Sequence, residues 1–116
     1  MPHCVIECPI ELKGHVCFSD LVKAVHDSAE QTNLFEPGDV KARIVSSENY
    51  LVGGQKEHYV HTVVHILAGR KVGQKKLLAD SITATLCKLL PDVKMISVEV
   101  RDICKATYSN RLSVEK

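Results

Sequence analysis

The sequence lacks tryptophan, long apolar runs and a strong charge imbalance. Its 116 residues include two Phe and three Tyr, and 15 Lys and Arg face 14 Asp and Glu, for a net charge of +1. Without a basic stripe, we expect no binding to nucleic acid or to an anionic membrane surface. Because 45% of the residues are hydrophobic, the chain has enough apolar surface for a core. We expect a single globular domain over residues 1–116.

The beginning of the chain shows none of the features of a secretory signal. MPHCVIECPIELKGH has no basic region followed by a long apolar stretch. No window reaches the roughly 18 apolar residues that a membrane-spanning helix needs. The five cysteines are an odd number without a C-x-x-C spacing, unlike a secreted disulfide framework. We therefore expect a cytoplasmic protein with reduced, mostly structural thiols.

The first half of the chain, about residues 2–52, has the pattern strand, helix, strand. A short run with β-branched members at residues 4–8 favours a strand. Apolar residues then recur at three- and four-residue steps, which predicts an amphipathic helix with Ser19 or Asp20 as its N-cap. Apolar and charged positions alternate over residues 40–44, which predicts a half-buried strand.

The second half, about residues 57–103, repeats this order. A β-branched run predicts a strand over residues 59–67, apolar spacing predicts a helix over 74–90, and alternation predicts a last strand over 95–101. Two such units with right-handed crossovers give an α+β fold, a four-stranded sheet with both helices on one face. The other face would be uncovered in a monomer, so we expect an oligomer.

Three histidines lie close together in the sequence, at His58, His61 and His65. On a strand that rises about 3.3 Å per residue, His58 and His61 face opposite sides, and His61 and His65 stand about 13 Å apart. One zinc ion with ligand bonds of about 2 Å cannot join them. The sequence also has no glycine-rich phosphate loop and no G-x-S-x-G nucleophile elbow. We therefore expect no metal site.

Four residues remain as candidates for chemistry. Removal of Met1 would expose the secondary amine of Pro2, and a nearby cation or low-dielectric surroundings would bring its pKa towards neutrality, where a general base works best. Arg70 follows a predicted strand, where its guanidinium could bind a carboxylate through two hydrogen bonds. Lys41 and Arg43 add cations on one strand face. Each of these charges also fits an ordinary solvated surface position, and a proline at position 2 is weak evidence alone.

These residues carry a resemblance to a known family. Pro2 and the segment ILAGR at residues 66–70, followed by QK at 74–75, resemble the tautomerase superfamily, whose members use an N-terminal proline as the catalytic base. The second half is similar to a whole small subunit of the 4-oxalocrotonate tautomerase type. The chain to about Ile103, which begins MPH with EC at residues 7–8, is most similar to the 5-carboxymethyl-2-hydroxymuconate isomerase family.

The resemblance implies a homotrimer and a cofactor-free isomerisation of a carboxylated dienol to its conjugated keto form, a step in meta-cleavage catabolism of aromatic acids. The resemblance implies that Pro2 is the base and that Arg70 corresponds to the arginine that follows the first strand in the family's small subunits. Lys41 falls at a second substrate-binding arginine. Because lysine keeps the charge and loses the guanidinium fork, either Arg43 substitutes or the carboxylate is held differently.

Two alternatives stay open from the sequence. The chain could be a tautomerase-superfamily enzyme that acts on another keto or unsaturated acid. It could also be a non-catalytic trimeric binding protein, since a fold does not fix a function.

Overall fold

Four strands and two long helices dominate residues 1–115, the part of the chain that the computed structural model describes. The strands are β1 (His3–Pro9), β2 (Lys41–Ser47), β3 (Tyr59–Leu67) and β4 (Met95–Ile103). The long helices are α1 (Phe18–Gln31) and α2 (Val72–Leu89). Two 3-10 turns (Ile10–Gly14 and Lys105–Thr107) and the short helix α3 (Arg111–Val114) complete the order. Over residues 1–115, no helix has the length and apolar character needed to span a membrane.

The sheet has the strand order β2-β1-β3-β4, and each half of the chain contributes one parallel pair. His3 of β1 lies opposite Lys41 of β2, and Tyr59 of β3 lies opposite Met95 of β4. The halves join through the antiparallel pair of β1 and β3, where His3 lies opposite His65. The predicted α+β sheet of two strand-helix-strand units is confirmed.

Both helices pack on one face of the sheet, and the core lies between the two layers. Alternate strand residues enter it fully or almost fully buried: Cys4, Ile6, Cys8, Val60, Val64 and Ile66. The helices contribute Leu21, Val25, Ala29, Leu78, Ile82 and Leu86, all at 0% exposure. Residues of both halves of the chain thus form one shared core. Burying each Val, Leu or Ile side chain in it stabilises the fold by about 1.5–3 kcal/mol.

The opposite face of the sheet is mostly polar. Its residues are exposed or half-buried, except that Val63 is 7% exposed and Pro9, at the end of β1, is buried. Val5 and Val63 lie opposite each other on this face. Charged and titratable side chains surround them: His3, Glu7, Lys41, Arg43, His61, His65, Glu99 and Arg101. A sheet face of this kind is accessible to another protein surface.

The beginning of α1 differs from the prediction. The helix starts at Phe18 with Cys17 as its N-cap residue, and no side chain caps it. The N–H of Leu21 reaches the carbonyl of Cys17 at 3.0 Å, so Ser19 and Asp20 lie inside the first turn and the prediction of either as N-cap is wrong. Asp20 still favours this end of the helix, because a negative charge complements the helix dipole.

Several boundaries extend beyond the predicted ones, among them both ends of β1 and the end of β2, and two others have an identifiable cause. Helix α2 begins at Val72, two residues early, because the Gln74 side chain accepts a hydrogen bond from the backbone N–H of Lys71 at 2.8 Å and closes the first turn. Strand β4 continues to Ile103, whose carbonyl accepts a hydrogen bond from the N–H of Ala68 at 3.0 Å. Both extensions depend on polar contacts that apolar periodicity does not register.

The turn between β3 and α2 requires glycine. Gly69 has a φ of +129°, and a Cβ at this position would lie 3.4 Å from Nζ of Lys105. L residues rarely adopt this backbone conformation, and holding one there costs about 1–3 kcal/mol. Gly69 therefore sets the direction in which the chain leaves β3.

We expect Gly69→Ala to lower the free energy of unfolding by about 1–3 kcal/mol through this backbone strain. Gly73→Ala is a matched control, because Gly73 lies in α2 with open space around it. That variant should be neutral or more stable by up to about 1 kcal/mol, since alanine favours helices. Urea denaturation measures both, and equal stabilities of the two variants would contradict the role assigned to Gly69.

Candidate active site

Pro2 precedes β1 and is fully buried. Its carbonyl accepts a hydrogen bond from the backbone N–H of Lys41 at 3.0 Å, next to the first residue pair of β1 and β2. Met1 is half-buried. The beginning of the chain is therefore fixed at one end of the sheet.

Lys41 extends from the first position of β2 beside this N-terminus. Its ammonium group donates a hydrogen bond to the carbonyl of Asp39 at 2.8 Å and lies 3.8 Å from the sulfur of Met1. The side chain is part-buried, and one of its donors is engaged by the loop before β2. Since an ammonium group has three donors, Lys41 keeps donors for an anion.

Arg70 approaches the same region from the turn between β3 and α2. Its guanidinium donates a short hydrogen bond to the carbonyl of Leu34, and its Cζ lies 5.1 Å from the ring centroid of Phe35. Leu34, Phe35 and Asp39 all belong to the loop between α1 and β2. This loop, which we call the α1–β2 loop (residues 32–40), therefore contacts both cations.

The charges act on the N-terminal amine. The pKa of the Met1 amine lies below its ordinary value of 8.0, and the largest cause is burial. Asp39 raises this pKa, whereas the positive charges of Lys41 and Arg70 lower it. The surroundings of the N-terminus therefore shift the Met1 amine towards its neutral form, the form that can accept a proton.

Arg43 lies apart from this group. Its guanidinium Nη1 is 3.2 Å from Nδ1 of His3, and its side chain is exposed on the open face of the sheet. The charge of Arg43 lowers the pKa of His3, after burial as the larger cause. Of the three cations, Lys41 and Arg70 act on the N-terminal amine beside Pro2, whereas Arg43 contacts His3.

Three residues of the α1–β2 loop contact the cations and were not predicted from the sequence: Leu34, Phe35 and Asp39. The pair Pro37-Gly38 indicates a turn, but a turn signal does not tell which distant side chains the loop meets. The contacts of Leu34 and Phe35 with Arg70 span 36 and 35 residues of sequence. No periodicity within the loop could have predicted them.

An apolar groove of about 490 Å³ lies at the other end of β3. Its lining includes Tyr50, Tyr59 and Met95, and Tyr59 begins β3 whereas Arg70 follows its end. The groove is therefore distant from the N-terminal amine and is separate from the candidate site. Among residues 1–115, no three His, Cys, Asp or Glu side chains converge as a group that could hold a metal ion.

Comparison with known proteins gives a family match by sequence. A family model described as 5-carboxymethyl-2-hydroxymuconate isomerase matches residues 2–111, which include both halves of the fold and all four candidate residues. No curated protein matches the chain significantly.

Solved structures show the same fold at low identity. The chain is similar to a 5-carboxymethyl-2-hydroxymuconate isomerase from Deinococcus radiodurans R1, with a TM-score of 0.82, 22% identity and coverage of 95% of this chain and 88% of that chain. A fused 4-OT symmetric trimer gives a TM-score of 0.77 at 22% identity, over 94% and 91% of the two chains. Macrophage migration inhibitory factor of Toxoplasma gondii gives 0.72 at 14% identity, over 94% and 96%.

The electrostatics of the site predict opposite effects for two substitutions. Arg70→Ala should raise the pKa of the N-terminal amine because it removes a repelling cation, and Asp39→Asn should lower it because it removes an attracting carboxylate. Competitive labelling of the amine across pH measures the pKa, in protein whose intact mass shows that Met1 is retained. Lys56→Ala is the control, since Lys56 pairs with Glu11. Shifts of the same sign in the first two variants would refute this assignment.

Proposed function

This chain belongs to the 5-carboxymethyl-2-hydroxymuconate isomerase family, and on that premise we propose that it isomerises a carboxylated dienol with Pro2 as general base. The observation that carries the proposal is that two cations lie at the N-terminus: Lys41 bonds the carbonyl of Pro2 through its backbone and contacts Met1 through its side chain, and Lys41 and Arg70 both lower the pKa of the Met1 amine. A small anionic substrate suits these cations, and the reaction needs no cofactor. On the basis of the family resemblance, we assign the proposed reaction to the meta-cleavage catabolism of aromatic acids.

The proposed base is the secondary amine that removal of Met1 exposes on Pro2. Its neutral form accepts the proton of the dienol hydroxyl, so an O–H bond breaks and the electron pair moves along the conjugated chain. The same nitrogen then returns the proton to a carbon further along, forming a C–H bond and the keto product. Atoms and electrons balance without an oxidant or reductant.

The proposed substrate-binding groups are Arg70 and Lys41. The planar fork of Arg70 suits a carboxylate through two parallel hydrogen bonds, and the ammonium of Lys41 supplies a compact positive charge. Both charges would stabilise the dienolate that forms when the proton leaves. The contact of Arg43 with His3 supports Lys41 rather than Arg43 as the second ligand.

A homotrimer is the proposed assembly. The open face of the sheet carries Val5 and Val63 at its centre. All-parallel sheets are normally covered on both faces, and two of the three strand pairs of this sheet are parallel. Two similar solved structures are described as fused 4-OT trimers, one symmetric and one asymmetric. Three copies with their open faces turned inward would cover this surface in a closed cyclic arrangement.

The base assignment predicts that a free proline amine is required. A chain extended before Pro2 should lose at least about two orders of magnitude in kcat/KM for 5-carboxymethyl-2-hydroxymuconate, the usual size of general-base catalysis, because an acylated nitrogen has no basic lone pair. Pro2→Ala should keep partial activity through its primary amine. Ultraviolet absorbance follows the isomerisation, and intact mass verifies each N-terminus. An extended chain as active as the trimmed one would exclude Pro2 as the base.

The assembly predicts a mass in solution of about three times the 12.8 kDa of one chain. Light scattering at micromolar concentration measures it. Val63→Glu should shift the mass towards that of the monomer, because it puts a charge at the centre of the open face, where Val63 is only 7% exposed. Lys76→Glu is a control on α2, where Lys76 is exposed. A wild-type protein that is active as a monomer would contradict the trimer.

A further inference from the structure

The guanidinium of Arg70 is held from two sides by the α1–β2 loop. The carbonyl of Leu34 accepts a hydrogen bond from Nη2, and the ring of Phe35 faces the guanidinium carbon at 5.1 Å. An arginine has five N–H donors in a fixed plane, and the Leu34 carbonyl uses one amino group. The remaining donors stay available for a carboxylate, in an orientation that the loop sets.

The loop that holds Arg70 is itself anchored at both ends. Near α1, Oγ1 of Thr32 donates a hydrogen bond to the carbonyl of Ala29 at 2.6 Å. Further along, the N–H of Gly38 donates to the carboxylate of Glu30 at 3.2 Å. These bonds tie the loop back to the end of α1, so the loop has anchors besides its contacts with Arg70.

Phe35 also connects the loop to the core. Its side chain is half-buried and, like that of Leu34, packs against the core of the sheet and helices. The ring therefore has one side fixed by apolar packing and another occupied by the cation. A cation over an aromatic face gains about 0.5–1 kcal/mol at exposed sites and more where water is excluded.

We infer that Phe35 is a positioning residue that orients the guanidinium of Arg70 for binding a substrate carboxylate, an inference that rests on the function proposed for this site. Arginine has several rotatable bonds, and ordering them on binding weakens affinity. A guanidinium already in contact with Phe35 and bonded to Leu34 has lost much of this freedom before the ligand arrives. Phe35 thus acts through Arg70 and needs no contact with the reacting atoms.

The inference is tested first by binding, which does not depend on catalysis. The probe is adipate, a saturated six-carbon dicarboxylate, measured by calorimetry. Phe35→Leu should weaken its binding about three- to tenfold, the factor that corresponds to ordering one long side chain on binding. Phe35→Tyr keeps an aromatic face and should bind like the wild type. Phe18→Leu is the matched control. Phe18 also packs on the core, and Nζ of Lys13 lies 5.5 Å from its ring centroid.

A double-mutant cycle separates positioning from a general loss of structure. In an Arg70→Ala background, Phe35→Leu should have no further effect on adipate binding, because no guanidinium is left to orient. Nitrogen NMR of the arginine side chains should also show the Arg70 signal move in Phe35→Leu, since the ring current is lost, and remain in place in Phe18→Leu. In the isomerisation assay the loss should fall mainly on KM rather than kcat.

The outcomes distinguish this inference from the proposed activity. Unchanged adipate binding in Phe35→Leu, an equal loss with and without Arg70, or no adipate binding by the wild-type protein at millimolar concentration would each overturn the positioning role. A protein that shows the expected cycle with adipate but no isomerisation would refute the proposed reaction and leave the positioning of Arg70 supported.

Discussion

The candidate site depends on one register, the pairing that places His3 opposite Lys41 at the beginning of two parallel strands. The same pairing lets the N–H of Lys41 bond the carbonyl of Pro2. Because side chains alternate along a strand, a slip of one residue would turn Lys41 towards the helices and away from Met1. The alternation that buries Cys4 and Ile6 therefore also determines on which face of the sheet the side chain of Lys41 lies.

The antiparallel pair in the middle of the sheet explains how the two halves share one site. In such a pair the beginning of one strand meets the end of the other, so the start of β1 lies beside the end of β3, with His3 opposite His65. The first half thereby supplies the N-terminus and Lys41, and the second half supplies Arg70. The turn that follows β1 at Pro9 lies at the other end of the sheet.

Local patterns predicted the strands, the helices and their order, because alternation and helical spacing report which face of an element is buried. The bounds of β3 agree with the prediction over residues 59–67. The N-cap prediction for α1 was wrong because the helix begins at Phe18, so that Ser19 and Asp20 lie inside its first turn. The stacking of Phe35 on Arg70 lay beyond prediction, since it joins two loops through the tertiary fold.

Lys41 and Arg70 have different roles in the proposed site because lysine and arginine differ in the geometry of their charged groups. Lys41 donates to the carbonyl of Asp39 and presents a point charge without a preferred plane. Arg70 has a planar fork that contacts the ring of Phe35 and bonds the carbonyl of Leu34. A carboxylate at Lys41 would be attracted but not oriented, whereas one at Arg70 would be held in a defined plane. Orientation of the substrate relative to the amine would therefore depend on Arg70 and on the loop behind it.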